Sequence, residues 1–304
     1  VEKLTNVGTF LVNTIGEIIK GLGGVKGLLP AIILTIQDIS CVGQCSLTVA
    51  LPIISACGVE TCVLPSAVLS THTGGFKGFT FRDLTDDMPL INEHWCKENI
   101  KFDAIYTGYL GSTRQIDIVL DIISKTLNTN GLTIIDPAMA DNGTLYFGFD
   151  DAFVSAMKKL CAKADYVLPN ITEACFITGS EYRTEYDKEY VMDLLDKLTA
   201  NGAKNVILTG VSYKPETTGV VVYENGEYKY YEHRKIAQGC HGTGDVYASA
   251  FVGALMNGKS AFESAKISAD YTVKSIENTQ GDKSHWYGCK FETAISDLLK
   301  MLGK

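Results

Sequence analysis

Apolar residues along this chain follow two alternating rhythms. From Ala31 onward short β-rich runs recur: AIILTI (31–36), TCVLPS (61–66), DAIYTG (103–108), LTIID (132–136), DYVLPN (165–170) and NVILTG (205–210), each bounded by turn residues. Between them lie stretches with the helical period, among them Leu47–Ala56, Arg114–Leu127, Asp150–Ala162 and Lys188–Ala200. Strands that alternate with helices of this length predict a mainly parallel sheet covered on both faces, an α/β fold. The run GVVVYENGEYKYYEH (219–233) differs, with two alternating halves joined at Glu224-Asn225-Gly226. Asn-Gly favours a tight hairpin turn, and this hairpin is expected at an edge or as a lid.

Two regions can be set apart. Residues 1–30 place Phe10, Leu11, Ile15, Ile18, Ile19 and Leu22 at helical spacing and then dissolve into glycines. They read as an amphipathic extension that packs on the domain or on a partner chain. They fit a secretory signal poorly, and a polar face carrying both charge signs disfavours a membrane-surface helix. Residues 31–304 contain no repeat or linker and read as one domain.

Composition narrows the function. The chain has 304 residues, 46% hydrophobic and 20% charged, with a formal charge of −8. That balance argues against general affinity for nucleic acid or an anionic membrane, since both need clustered positive charge. Nine cysteines, Cys41, Cys45, Cys57, Cys62, Cys96, Cys161, Cys175, Cys240 and Cys289, contain no C-x-x-C pair, and the number is odd. Reduced thiols in a cytoplasmic protein are the expectation, with no structural zinc.

The stretch GTGDVYASAFVGALMNGKS (242–260) carries two competing phosphate motifs. Gly253–Ser260 spells the Walker A pattern, which requires a strand immediately before its first glycine. Here the preceding residues repeat as one helix face, Val246, Tyr247, Ala250, Phe251, Ala254 and Leu255, running straight through Gly253. Gly258 then reads as the left-handed residue that ends this helix, and Ser260 as the cap of the next. The Walker match is therefore rejected. Gly242-Thr243-Gly244-Asp245, by contrast, sits where a helix opens, and free N–H groups there favour an anion. By itself the turn reads equally well as a plain cap. The aspartate tilts the balance, because a carboxylate beside backbone donors can take a hydroxyl proton while the donors hold a phosphoryl group.

Other polar residues gather at strand ends, where ligands bind in open α/β sheets. They are Asp38, Thr71-His72-Thr73-Gly74-Gly75, Tyr109, Asp136, Asn170-x-x-Glu173 and Thr209. Each has a plain structural reading: Asp38 and Asp136 as loop caps, His72 as a satisfied core histidine, Asn170 or Thr172 as a helix cap. Their recurrence at the same end of successive strands favours a site. Asp136, Asp141 and Glu173 would supply hard oxygen ligands, direct or through water, to magnesium on a nucleotide.

From about Ile32 onward the chain resembles the pyridoxal/pyridoxamine kinases of the ribokinase-like superfamily. QDISCVGQCSLTVALPIISACGVE, VLSTHTGGF, IYTGYLGS, DPAMADNG, LPNITEA and HGTGDVYASA stand in family order with similar gaps. The resemblance implies a three-layer α/β/α fold, a homodimer, and transfer of the γ-phosphoryl of ATP to the 5′-hydroxyl of a B6 vitamer. It makes Asp245 the base, and Gly242, Thr243 and Gly244 the anion hole. Asp38, His72, Thr73 and Tyr109 then match positions around the pyridine ring. Asn170 and Thr209 match the nucleotide side, and Asp136, Asp141 and Glu173 the phosphate–Mg2+ side. A monovalent cation such as K+ fits the same family. The extension 1–30 has no counterpart there. Hydroxymethylpyrimidine kinases of the same fold often carry cysteine where Asp245 stands, and sugar kinases carry an early Gly-Gly and asparagine pattern missing here. A non-catalytic vitamer-binding protein is the remaining alternative.

Overall fold

The computed structural model describes residues 31–236 and 239–304. The expected amphipathic helix within 1–30 lies outside the described residues. The strands are β1 (Ile32–Ser40), β2 (Glu60–Leu69), β3 (Phe81–Asp83), β4 (Phe102–Thr107), β5 (Leu127–Ile135), β6 (Ala140–Asp141), β7 (Thr144–Leu145), β8 (Tyr166–Val167), β9 (Asn205–Val211), β10 (Thr217–Glu224) and β11 (Glu227–Arg234). The helices among the described residues are α1 (Leu47–Ala56), α2 (Asp87–Lys97), α3 (Thr113–Thr126), α4 (Asp151–Cys161), α5 (Ile171–Thr178), α6 (Lys188–Ala200), α7 (Thr243–Met256), α8 (Ala261–Thr279) and α9 (Ile295–Leu302).

Nine strands form one sheet in the order β11-β10-β9-β8-β5-β4-β1-β2-β3, and β6 with β7 makes a separate small hairpin. The six strands from β2 to β9 pair in parallel, while β3, β10 and β11 run antiparallel at the two edges. Helices α2 to α6 pack in succession on one face, and α1, α7, α8 and α9 on the other. The result is the expected three-layer α/β fold. Ile33 to Gln37 of β1 are buried without a break, the mark of a strand covered on both faces.

Local chemistry accounts for most boundaries. The side chains of Ser112, Asp150 and Asp187 accept from the backbone N–H three residues on, opening α3, α4 and α6. At the β10–β11 turn Asn225 and Gly226 take φ of 55° and 83°, with Glu224 facing Glu227 in a two-residue hairpin. That hairpin is an edge, as expected, because β11 ends the sheet. Two strands depart from the sequence reading. β1 runs on to Ser40 past a register shift beside Asp38, and the run 165–170 forms a strand only at Tyr166–Val167, with one isolated bridge at Asn170 before α5 begins. Pro169 has no N–H to extend that ladder.

The rejected Walker segment lies inside α7. Gly253 is buried against α1, where an added Cβ would sit 2.5 Å from Cys57 Sγ. Gly258 has φ +80°, and Ser260 forms a capping box with Glu263 at the start of α8. All nine cysteines are free thiols, and no described helix is long and apolar enough to cross a membrane. Replacing Gly253 by Ala is expected to destabilise the protein by about 1–3 kcal/mol through overpacking, read as a lower urea midpoint. For the ATP binding that the resemblance implies, Lys259→Ala is expected to have no effect; loss of binding there would restore the Walker reading.

Candidate active site

The chain reverses direction across the sheet between β1 and β4, which lie side by side while β2 goes one way and β5 the other. A crevice at such a switch point, outside the carboxyl ends of the strands, is where open α/β sheets bind ligands. Asp38 sits at this end of β1 and is buried. Burial pushes its carboxyl above the usual range, while hydroxyls of Ser46 and Ser40 donate to it and pull the other way, Ser40 at 3.1 Å.

Ser46 is the residue that sequence reasoning missed. It opens α1 with φ 56° and ψ −132°, a strained backbone for a non-glycine residue, and forms an isolated bridge to Ile39. Its hydroxyl lowers the raised pKa of Asp38 and makes no side-chain cap for its own helix. Its N–H is among the groups that favour the charged form of Asp245. One serine thus acts on both the strand-end aspartate and the aspartate of the glycine turn. Nothing in local sequence distinguishes it from an ordinary helix cap.

That turn has the expected shape. Gly242 caps α7 at φ +75°, and an added Cβ would lie 1.7 Å from the carbonyl oxygen of Gln44. Around Gly244 an added Cβ would meet nothing, so the turn faces open space. The N–H groups of Thr243, Gly244 and Asp245 fall in the first turn, where helical backbone leaves donors unpaired. Asp245 is pushed up to about 7, chiefly by burial and then by the negative charges of Asp136 and Asp38, against the Ser46 N–H.

A second acidic group lies beyond β5. Asp136 accepts from Ala138 N at 3.1 Å, and Glu173 is fully surrounded, accepting from Met139 N at 3.0 Å and Asn170 N at 2.9 Å. Burial raises Glu173 to about 7 against these donors, and burial with the Glu173 charge holds Asp136 well above the usual range. Asp141 stands apart at the tip of the small hairpin, exposed and bonded to Asn142 N at 2.8 Å. No group of three metal-ligating side chains converges among the described residues. Asn170 and Thr209 are brought together by a backbone bridge. The Asn170 amide, however, is spent on Glu173 N and on Ala140 O, both at 2.9 Å. With the Gly143 N–H on Thr172 Oγ1 at 3.1 Å, it pins the β6–β7 hairpin to the start of α5.

Tyr109 lies over Phe149 with ring centroids 5.6 Å apart, and burial and Asp38 raise its phenol. Thr73 is exposed on the loop after β2, whereas His72 beside it is buried with both ring nitrogens engaged. Sequence reasoning also missed Tyr146. It is 42% exposed, yet its phenol is raised by its packing and by the charges of Glu173, Asp141, Asp136 and Asp245. An aromatic pair directly after the Asp141-Asn142-Gly143 turn was the available signal. Two surface clefts of about 420 and 510 Å³, one between α8 and α9 and one beside α6, contain none of these residues.

A mostly parallel sheet with this strand order and helices on both faces is the ribokinase-like fold, and likeness to named kinases makes the chain a phosphotransferase to an alcohol. The chain belongs to the phosphomethylpyrimidine kinase family, whose model matches residues 51–289. It is 26% identical to a pyridoxal kinase of Dictyostelium discoideum over 73% of this chain and 77% of that one. A candidate phosphomethylpyrimidine kinase of Bacteroides thetaiotaomicron, crystallised with pyridoxal, superposes with a TM-score of 0.84 at 37% identity, covering 89% and 96% of the two chains. A pyridoxal kinase of Lactobacillus plantarum superposes at 0.82 with 29% identity over 89% and 97%.

The Asp136–Glu173 pair generates a stability prediction. Carboxyls raised in the folded state bind more protons than they do in the unfolded chain, so they cost stability as pH rises from the ordinary carboxylate range of about 4 through the raised folded values, about 7 for Glu173 and well above the usual range for Asp136. Asp136→Asn is expected to unfold at higher temperature than the wild type at pH 8 in chelator. The gap should narrow as pH falls below 7 and close only towards about 4, where the unfolded carboxyls also protonate; a gap independent of pH would contradict the assignment.

Proposed function

We propose that this chain transfers the γ-phosphoryl group of ATP to the 5′-hydroxyl of a B6 vitamer. The observation that carries the reading is Asp245, a carboxylate on the first turn of α7, beside open backbone donors and titrating near neutrality. In this role Asp245 accepts the proton of the alcohol as its oxygen attacks the γ-phosphorus. The bond to the β–γ bridging oxygen breaks, and ADP departs with that electron pair. The N–H groups at Thr243 and Gly244 and the positive end of α7 stabilise charge on the transferring group.

Asp38, with Tyr109 close by, faces the polar atoms of the pyridine ring, and Asn170 and Thr209 take the nucleotide side. The acidic pair fits a magnesium ion held largely through water and phosphate oxygens, because both Glu173 oxygens already accept from backbone N–H groups. When bound, magnesium neutralises phosphate charge and relieves the repulsion within the pair. Phosphoryl transfer requires mainly this kind of positioning, so few residues need act chemically. A homodimer, a cytoplasmic setting and a K+ ion belong to the same reading.

The family description favours a second reading, a hydroxymethylpyrimidine kinase. Retention of Asp245 and the pyridoxal seen in the Bacteroides relative support the first. ADP release from Mg-ATP with pyridoxal, pyridoxamine, pyridoxine and hydroxymethylpyrimidine in parallel separates them. A B6 vitamer is expected to be turned over, with kcat/KM rising as pH passes about 7 and Asp245 loses its proton. Asp245→Asn is expected to lose about 10²–10⁴-fold in kcat while keeping its far-UV circular dichroism. Turnover of the pyrimidine alone would move the substrate assignment, and no turnover in folded protein would leave vitamer binding as the function.

A further inference from the structure

We propose that His72 is a positioning residue, a neutral imidazole that latches the loop 285–289 onto the loop 71–76 beside the Gly242 turn. Its Nε2 lies 2.7 Å from the carbonyl oxygen of Tyr287, and its Nδ1 accepts the Gly74 N–H at 3.0 Å. A peptide N–H can only donate and a carbonyl can only accept. Both bonds therefore exist together only in the neutral tautomer that carries its proton on Nε2. Burial also disfavours the protonated ring, a trend that His241 reinforces and the Tyr287 bond and Asp38 oppose.

Four separate segments meet on this one ring. A Cβ on Gly43 would reach 2.1 Å from His72 Cδ2, so the loop after β1 closes on the imidazole only through a glycine with φ +119°. Phe76 meets the ring edge-on at 5.0 Å, and His241, next to Gly242, tilts over it at 5.2 Å. The latched loop passes its position on to the reaction bed. Gly288 lies against Gln44, where a Cβ would fall 2.3 Å from that side chain, and the Gln44 carbonyl is the group that abuts Gly242. Two residues further on, the Ser46 N–H favours the charged form of Asp245. With both nitrogens occupied, His72 has no polar atom left for a substrate and acts through the loops.

Trp286 reports the latch directly. It lies 4.6 Å from Phe76 between ring centroids and is 48% exposed. The chain has two tryptophans, and the other, Trp95, packs on Phe102 from helix α2. In a Trp95→Phe background, His72→Phe keeps ring bulk but removes both bonds, and His72→Gln keeps an amide donor for Tyr287 O. Acrylamide quenching of Trp286 is expected to rise about twofold with His72→Phe and to return towards the parent value with His72→Gln, as the loop loses and regains its tether. Unchanged quenching would overturn the latch whether or not the protein phosphorylates a vitamer.

The kinetic consequence rests on the kinase reading. His72→Phe is expected to lower kcat about 10- to 100-fold through misplacement of the bed, with little change in the KM for ATP and recovery in His72→Gln. Released quenching with unaltered kcat would sever the latch from catalysis, whereas released quenching with no turnover even in the parent would count against the kinase reading alone. Should His72→Phe fail to fold, the nitrogen-15 spectrum of the five histidines in the intact protein decides. A single Nε2–H form is expected for His72, assigned by its absence in His72→Gln, and an Nδ1–H or exchanging ring overturns the proposal.

Discussion

Gly242 lies so close to the loop after β1 that one added carbon would sit 1.7 Å from the carbonyl oxygen of Gln44. Much of the site depends on that approach. It brings the first turn of α7 against the start of α1, two helices from opposite ends of the chain that pack on the same face of the sheet. There Ser46 favours the charged forms of both Asp245, through its N–H, and Asp38, through its hydroxyl. The cost appears where it is expected, in a positive φ at a non-glycine residue held in place by its surroundings.

The second constraint is charge. Asp38, Asp136, Glu173 and Asp245 end up at one edge of the sheet, and burial raises every one of them. Backbone donors at the openings of α5 and α7 offset part of this repulsion, since helix N-termini favour anions. The same donors suit phosphate oxygens, which under the proposed function lets a chain of net charge −8 receive a nucleotide. The negative balance excludes a broad basic surface; it does not exclude a small, directed set of N–H groups.

The pieces around this edge differ in how they are held. Strands β1, β4 and β5 are locked by ladders on both sides, so Asp38, Tyr109 and Asp136 start from rigid ends. The β6–β7 hairpin depends instead on three hydrogen bonds to the first turn of α5. The loops 71–76 and 285–289 depend on His72 and on contacts that only glycines permit. Motion during turnover is most readily taken up by such loops, with few backbone ladders to break.

The alternation of strands and helices, the Asn225-Gly226 hairpin, the continuity of α7 through Gly253 and the caps at Gly258 and Ser260 were all legible in the sequence. Each is set by residues within a few positions of one another: apolar period, a turn that needs positive φ, a side chain reaching its own backbone. The glycine turn that opens α7, with Asp245 in its first turn, was legible for the same reason. The strained bridge at Ser46, the phenol of Tyr146 among carboxylates, the commitment of both His72 nitrogens and the full use of the Asn170 amide were not. Those features join residues up to 215 positions apart, and which hydroxyl meets which carboxylate is decided only when the sheet closes and the loops at its edge are forced together. Sequence determined the elements and the kinds of chemical group at their ends; tertiary packing decided which of those groups remain free to act.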